Sequence, residues 1–260
     1  METVTNPARE RLMRDELAIG IGVRAVRGVE IGPMMATAGY DWLFIDLEHG
    51  ATSVETAAAI SVTALSAGIA PLVRVPQGDL NLGTRCLDAG ALGIVMPHVD
   101  TVEQAKAMVN AFRFAPLGHR SIAGNYAQLR FAPVGATDAV KALNQATLVV
   151  AMMETPRAIE NVDAIAAIPG IDVLLMGTND LCLEMDIPGQ IGHKRVVEAV
   201  DKIVSACKKH GKWPGLGGVY TKELLEPYIA RGMRLILAGN DASLLMNAAT
   251  DHARFVRGCK

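Results

Sequence analysis

Short apolar runs rich in β-branched residues recur along the chain, each trailed by a longer amphipathic stretch. The runs fall at 17–24, 42–46, 71–75, 93–96, 148–153, 173–176, 213–217 and 235–238. They show almost no polar alternation, the pattern of parallel strands covered on both faces. Helix-like segments lie between them at 54–67, 79–89, 102–112, 158–166, 194–209, 221–230 and 242–256. Several open on a capping residue or an early proline, as at Thr155-Pro156. Eight strand–helix units in 260 residues predict one α/β domain, a single (β/α)₈ barrel spanning 1–260. No G-x-G-x-x-G follows the first run, which disfavours a dinucleotide-binding sheet.

Three segments break the rhythm. Residues 1–16 read as a polar N-terminal extension with no apolar core for a signal peptide. Residues 113–134, "RFAPLGHRSIAGNYAQLRFAPV", read as a long functional loop after the fourth strand, followed by a short helix near 138–144. Residues 241–257 read as a C-terminal helix. The uncharged stretch 56–73 is interrupted by Gly68 and Pro71, so a helix, a turn and a strand explain it better than a membrane span.

Composition narrows the function classes. Half the residues are hydrophobic and 20% are charged, enough to fill a large core. With 25 Lys plus Arg against 27 Asp plus Glu, the net charge is -2, offering no basic field for nucleic acid and no single-sign stripe for a membrane. Cys86, Cys182, Cys207 and Cys259 form no C-x-x-C pair, which reads as reduced thiols in a cytoplasmic protein.

Barrel chemistry collects at the C-terminal ends of strands. The second run exits through "FIDLEHG", bringing Asp46, Glu48 and His49; the third carries Arg74, which must be paired or used where it is buried. The fifth exits at Glu154 and the sixth at "GTNDL", with Asn179 and Asp180. One βα step separates Glu154 from Asp180, so the two carboxylates leave neighbouring strands at similar height. Two acids that close share a proton or a cation, and an oxygen-only donor set suits Mg²⁺ or Mn²⁺. The alternative is that both acids only cap helices. His49 is likewise either an acid–base group or a satisfied polar group. No lysine falls at a strand exit, which argues against Schiff-base chemistry, and no G-x-S-x-G supports nucleophilic hydrolysis.

From about residue 19 onward the sequence resembles the HpcH/HpaI aldolases, metal-dependent pyruvate aldolases acting on 2-oxo acids. The resemblance is carried by "AGYDWLFIDLEHG", "PLVRVP", "LDAGALGIVMPHVDTVEQA", "FRFAPLGHRS", "METPRAIENVDAIAAIPGIDVLLMGTNDL" and "GLGG". It implies a divalent metal (Mg²⁺, Mn²⁺ or Co²⁺) on Glu154 and Asp180, with no organic cofactor. It also implies Arg74 on the pyruvate oxygen and a His49–Asp88 pair for proton transfer. The substrate carboxylate would rest on the segment Gly177, Thr178, Asn179 and Asp180. Asp46, Glu48, Met152, Arg120 and Leu216 are further lining candidates. Met152 stands where the family commonly has Gln, and an aromatic common near the end of the first strand is replaced at Val23 or Arg24.

The reaction so implied is aldehyde-lyase cleavage of a 4-hydroxy-2-oxo acid to pyruvate, or hydroxypyruvate, and an aldehyde. A water at the metal or the His49–Asp88 pair would be the base. Two alternatives accompany it: a decarboxylase or acyl-CoA lyase using the same metal–enolate platform, and a catalytically silent metal-binding barrel. The resemblance further implies a homohexamer, a trimer of dimers exchanging the C-terminal helix.

Overall fold

The computed structural model describes residues 4–259. Eight parallel strands close in sequence order into a barrel. They are β1 (Ala18–Val23), β2 (Trp42–Asp46), β3 (Ala70–Arg74), β4 (Gly93–Met96), β5 (Leu148–Met153), β6 (Val173–Gly177), β7 (Trp213–Gly217) and β8 (Leu235–Asn240). The helices are α1 (Pro7–Met13), α2 (Ile31–Thr37), α3 (Val54–Ala67), α4 (Leu80–Asp88), α5 (Val102–Phe112) and α6 (Ala136–Ala146), then α7 (Pro156–Glu160), α8 (Val162–Ala166), α9 (Thr178–Glu184), α10 (Lys194–His210), α11 (Lys222–Arg231) and α12 (Asp241–Gly258).

Side-chain alternation divides the core into two layers. Phe44, Leu72, Val95, Val150, Met152, Leu175 and Leu237 point into the barrel. Their neighbours Ile45, Val73, Ile94, Met153, Met176, Leu216 and Ile236 point outward and pack with the helices. The large Trp42 ring fits inside because Gly20, on the adjoining strand, has no side chain; a Cβ there would overlap the indole. Helix starts follow their local chemistry. Ser53 Oγ accepts from the Thr56 amide at 3.1 Å, and Thr101 with Gln104 forms a reciprocal capping box on α5.

Several expectations need correction. Residues 1–3 of the N-terminal segment lie outside the described residues, but the rest is no loose extension. Helix α1 seals the bottom of the barrel with buried Ala8 and Leu12, and Asn6 Nδ2 donates to the carbonyls of Ala146 (2.7 Å) and Leu92 (3.3 Å). The strong cap at Asn6 and the pattern Ala8–Leu12 were available as signals. The segment 158–166 divides into α7 and α8, and the helix near 138–144 extends over α6.

The long segment 113–134 follows α5, not β4, so it lies at the N-terminal end of the strands, opposite the exits. Arg113 there donates to the carbonyls of Asn144 (2.6 Å) and Thr147 (3.1 Å) and to Asp172, just before β6. Its order is therefore structural. Phe114, Tyr126, Leu129, Ala139 and Leu143 form a small satellite core beneath the barrel. Among the described residues the four cysteines are unpaired, and no helix is long and apolar enough to cross a membrane.

Candidate active site

Strand register brings the acidic and basic exits together. Met152 pairs with Leu175 and Met153 with Met176, so Glu154 emerges level with Gly177. A Cβ on Gly177 would overlap Glu154 Oε1: the glycine makes the space the carboxylate occupies. Glu154 is 1% exposed, and its Oε2 accepts from the His98 amide at 3.0 Å. Burial pushes its pKa up to about 7; the His98 amide and ring oppose this, and the charge of Asp180 adds to it. Asp180 lies in the first turn of α9, whose leading residue Thr178 ties back to β7 through Oγ1 donating to the Gly217 carbonyl at 2.9 Å. No side chain caps the opening of α9 at Gly177.

Arg74 lines the same pocket as this acid pair from the end of β3. It is clamped: Nε donates to Asp46 Oδ1 at 3.0 Å, Nη2 to Asp46 Oδ2 at 2.6 Å, and Nη1 lies 3.1 Å from Glu48 Oε2. Asp46 is fully buried and also accepts from the amides of Glu48 and His49, each at 3.1 Å. Burial alone would raise its pKa, but the Arg74 hydrogen bonds and charge, with smaller help from the His49 amide and Arg24, hold it below the usual 3.8.

These groups open onto a small pocket of about 80 Å³ lined by Arg24, Arg74, Met152, Glu154, Leu175, Gly177, Thr178, Asn179, Asp180, Gly218, Tyr220 and Leu237, among others. It therefore unites Arg74, Glu154, Asp180 and the Gly177–Asn179 segment as the strand pattern predicts. Met152 lines its floor, with Leu175 and Leu237. Asp46 and Glu48 support the site through Arg74.

Three expectations fail on direction or on end of the barrel. Leu216 points outward into the helical layer, and β7 meets the pocket through Gly217 and Gly218 instead. Arg120 lies beneath the barrel, donating to Asp88 at 2.7 Å and stacking 4.5 Å from the centroid of Phe114. Asp88 ends α4 at that same lower end, whereas His49 follows β2 at the upper end. The His49–Asp88 pair is thus not formed within one chain. His49 is half-exposed, its Nε2 3.8 Å from Glu48 Oε2.

Sequence reasoning missed Arg24 and Tyr220 as lining residues. Strand parity could have found Arg24, because Gly20, Gly22 and Arg24 share the inward face while Val23 packs outward. Arg24 therefore faces the site from β1 and Val23 does not.

Among the described residues no three His, Cys, Asp or Glu side chains gather as a metal cluster. Glu154 and Asp180 nonetheless fit a divalent cation. A buried carboxylate raised toward neutrality, beside a second acid and freed by a glycine, is a pair of hard oxygen donors whose repulsion a cation relieves.

Fold and site together define a parallel-barrel protein whose strand ends hold an acid pair facing a clamped arginine. The sequence profile of the HpcH/HpaI aldolase/citrate lyase family matches residues 31–248, and the chain belongs to that family. It is 38% identical over 244 residues to 4-hydroxy-4-methyl-2-oxoglutarate aldolase of Chaetomium globosum, covering 92% of this chain and 91% of the relative. It is 32% identical over 252 residues to the hydroxypyruvate/pyruvate aldolase of Delftia acidovorans, covering 96% and 91%. The crystal structure of an HpcH/HpaI aldolase from Desulfitobacterium hafniense superposes with a TM-score of 0.90 at 27% identity, covering 97% of each chain.

Proposed function

We propose that the protein is a divalent-metal-dependent aldolase cleaving a 4-hydroxy-2-oxo acid to pyruvate, or hydroxypyruvate, and a carbonyl product. The observation that carries this reading is the placement of Glu154: a buried carboxylate lining one pocket with Asp180 and Arg74. Glu154 and Asp180 would hold Mg²⁺, Mn²⁺ or Co²⁺. When bound, such an ion draws electron density from the 2-oxo acid and lowers the energy of its enolate.

The chain's own residues supply the rest. Arg74, fixed by Asp46 and Glu48, places a permanent positive charge where the enolate oxygen develops charge, with no reorientation needed during reaction. The uncapped amides opening α9, at Thr178 and Asn179, receive the substrate carboxylate. Cleavage removes the proton from the C4 hydroxyl, breaks C3–C4, and leaves the electron pair on the three-carbon fragment, which takes a proton at C3. His49, beside Glu48, is the titratable side chain we assign to proton transfer.

The decisive measurement is hydrogen–deuterium exchange at the pyruvate methyl group by NMR, in chelator-treated protein and after adding Mn²⁺ or Mg²⁺. Metal-dependent exchange that disappears in Glu154→Ala and Arg74→Ala supports the reading. Absence of exchange with pyruvate and with hydroxypyruvate, in folded protein, defeats it.

We also propose a homohexamer, a trimer of dimers, that exchanges α12. Asp241 is the buried residue of this helix, while Leu245, Met246, Phe255 and Val256 stand exposed along it. Such a face needs a partner to leave water. Light scattering giving a single-chain mass at micromolar concentration would sink this assembly.

A further inference from the structure

Arg24 is a second guanidinium in the pocket, and the reaction outlined above gives it no task. Its Nε donates to Asp46 Oδ2 at 2.8 Å, whereas Nη1 and Nη2 meet no partner among the described residues. Its side chain is 41% exposed, at the mouth of the pocket beside Tyr220. The backbone beneath it is held firmly. Asp241 accepts from the amides of Arg24 (3.1 Å), Ala25 (2.9 Å) and Val26 (2.7 Å), fastening the loop after β1 to the start of α12.

An arginine anchored at Nε and along its backbone presents two terminal nitrogens in a fixed fork. That fork matches the two oxygens of a carboxylate. Asp46 ties Arg24 and Arg74 to one carboxylate, so the free fork lies a short span from the oxygen-binding arginine. Tyr220, at the same rim, feels the charges of both guanidinium groups.

We propose that Arg24 binds a carboxylate on the acceptor half of the substrate, making the preferred substrates 4-hydroxy-2-oxo dicarboxylic acids. The carbonyl product is then itself an acid of the glyoxylate or pyruvate type. The inference rests on the aldolase reading for which end of the substrate faces Arg24.

The test compares ligands that differ only in the distal group. Mn²⁺-loaded protein is titrated calorimetrically with 2-oxoglutarate and with 2-oxopentanoate, in native protein, Arg24→Gln and Arg24→Lys. A fork–carboxylate pair predicts binding of 2-oxoglutarate tighter by about tenfold or more. That ratio collapses in Arg24→Gln and returns in part in Arg24→Lys, whose point charge lacks the fork. Equal binding of the two acids by native protein overturns the proposal, as does failure of both to bind at millimolar concentration. A ratio that survives Arg24→Gln while both affinities fall also overturns it, since Arg24 would then only steady Asp46. The ratio requires no turnover, so a protein that discriminates the acids but fails to exchange the pyruvate methyl loses the aldolase reading, and with it the 4-hydroxy-2-oxo substrate class, and keeps Arg24 only as the site of a distal carboxylate.

Discussion

Replacing Asp46 by Asn tests whether the Arg74 clamp is what organises the site. The change keeps the side chain's size and one acceptor oxygen, which can still serve Arg74 Nε and the amides of Glu48 and His49. The other oxygen becomes an NH₂ group facing two donors, Arg74 Nη2 and Arg24 Nε. The Arg74 contact is buried on both sides, and losing a charge-assisted bond there costs about 2–3 kcal/mol. The Arg24 side chain is partly solvated, so its share is discounted to below about 1 kcal/mol. The expected destabilisation is therefore about 2–4 kcal/mol by urea unfolding. Released from one side, the Arg74 guanidinium loses its aim, and pyruvate methyl exchange should slow by about 100-fold.

Linkage fixes the pH dependence of that loss. The folded pKa of Asp46 lies below the ordinary 3.8, so its stabilisation is fully present above that value and is lost as pH falls through the folded pKa. The gap between native protein and Asp46→Asn should hold constant from neutral pH to about 5 and close in stronger acid. A loss under about 1 kcal/mol at pH 7, with exchange kinetics unaltered, would refute the reasoning. The contacts would then be geometric neighbours without energetic consequence.

Two other perturbations probe the acid pair. Gly177→Ala puts a methyl group into the space of Glu154 Oε1, so the carboxylate must move and Mn²⁺ affinity, read by calorimetry, should drop at least tenfold with the barrel's far-UV circular dichroism retained; unchanged affinity would mean that Glu154 needs no cradle. Glu154→Gln in chelator-treated protein should stabilise the fold at pH 8 by about 3 kcal/mol, the order set by a pKa lifted from 4.5 to about 7. A raised carboxyl binds its proton more tightly when folded, so the native penalty is absent below 4.5, grows between the two values and is constant above the higher. Equal gains at pH 5 and pH 8 would contradict this sign.

Strand runs and their exits were legible because a parallel strand covered on both faces must be apolar until it leaves the barrel. That logic singled out Arg74, Glu154 and Asp180, and put the two acids at the exits of neighbouring strands. It failed where the relevant information was handedness of side chain or end of barrel. Leu216 and Gly217 are adjacent in sequence, yet opposite faces send one to the helices and the other to the pocket. Residues 113–134 looked like a functional loop because they are long and irregular. A single helix, α5, between them and β4 carries them to the opposite end. Arg120 went astray for the same reason, and Asp88 because α4 carries it from the β3 exit to the lower end.

What the sequence alone determined is the set of elements, their order and which of them deliver charged groups, since hydrophobic periodicity and capping are local properties. Only the tertiary structure decided which charges meet. Asp46 is bound by Arg74 and Arg24, Asp88 is taken by Arg120, and Glu154 is held in the space Gly177 leaves. Those pairings depend on barrel closure, register and the direction of each side chain. A carboxylate's partner and its pKa come from the charges and burial that folding assembles around it, and no local pattern along the chain encodes them.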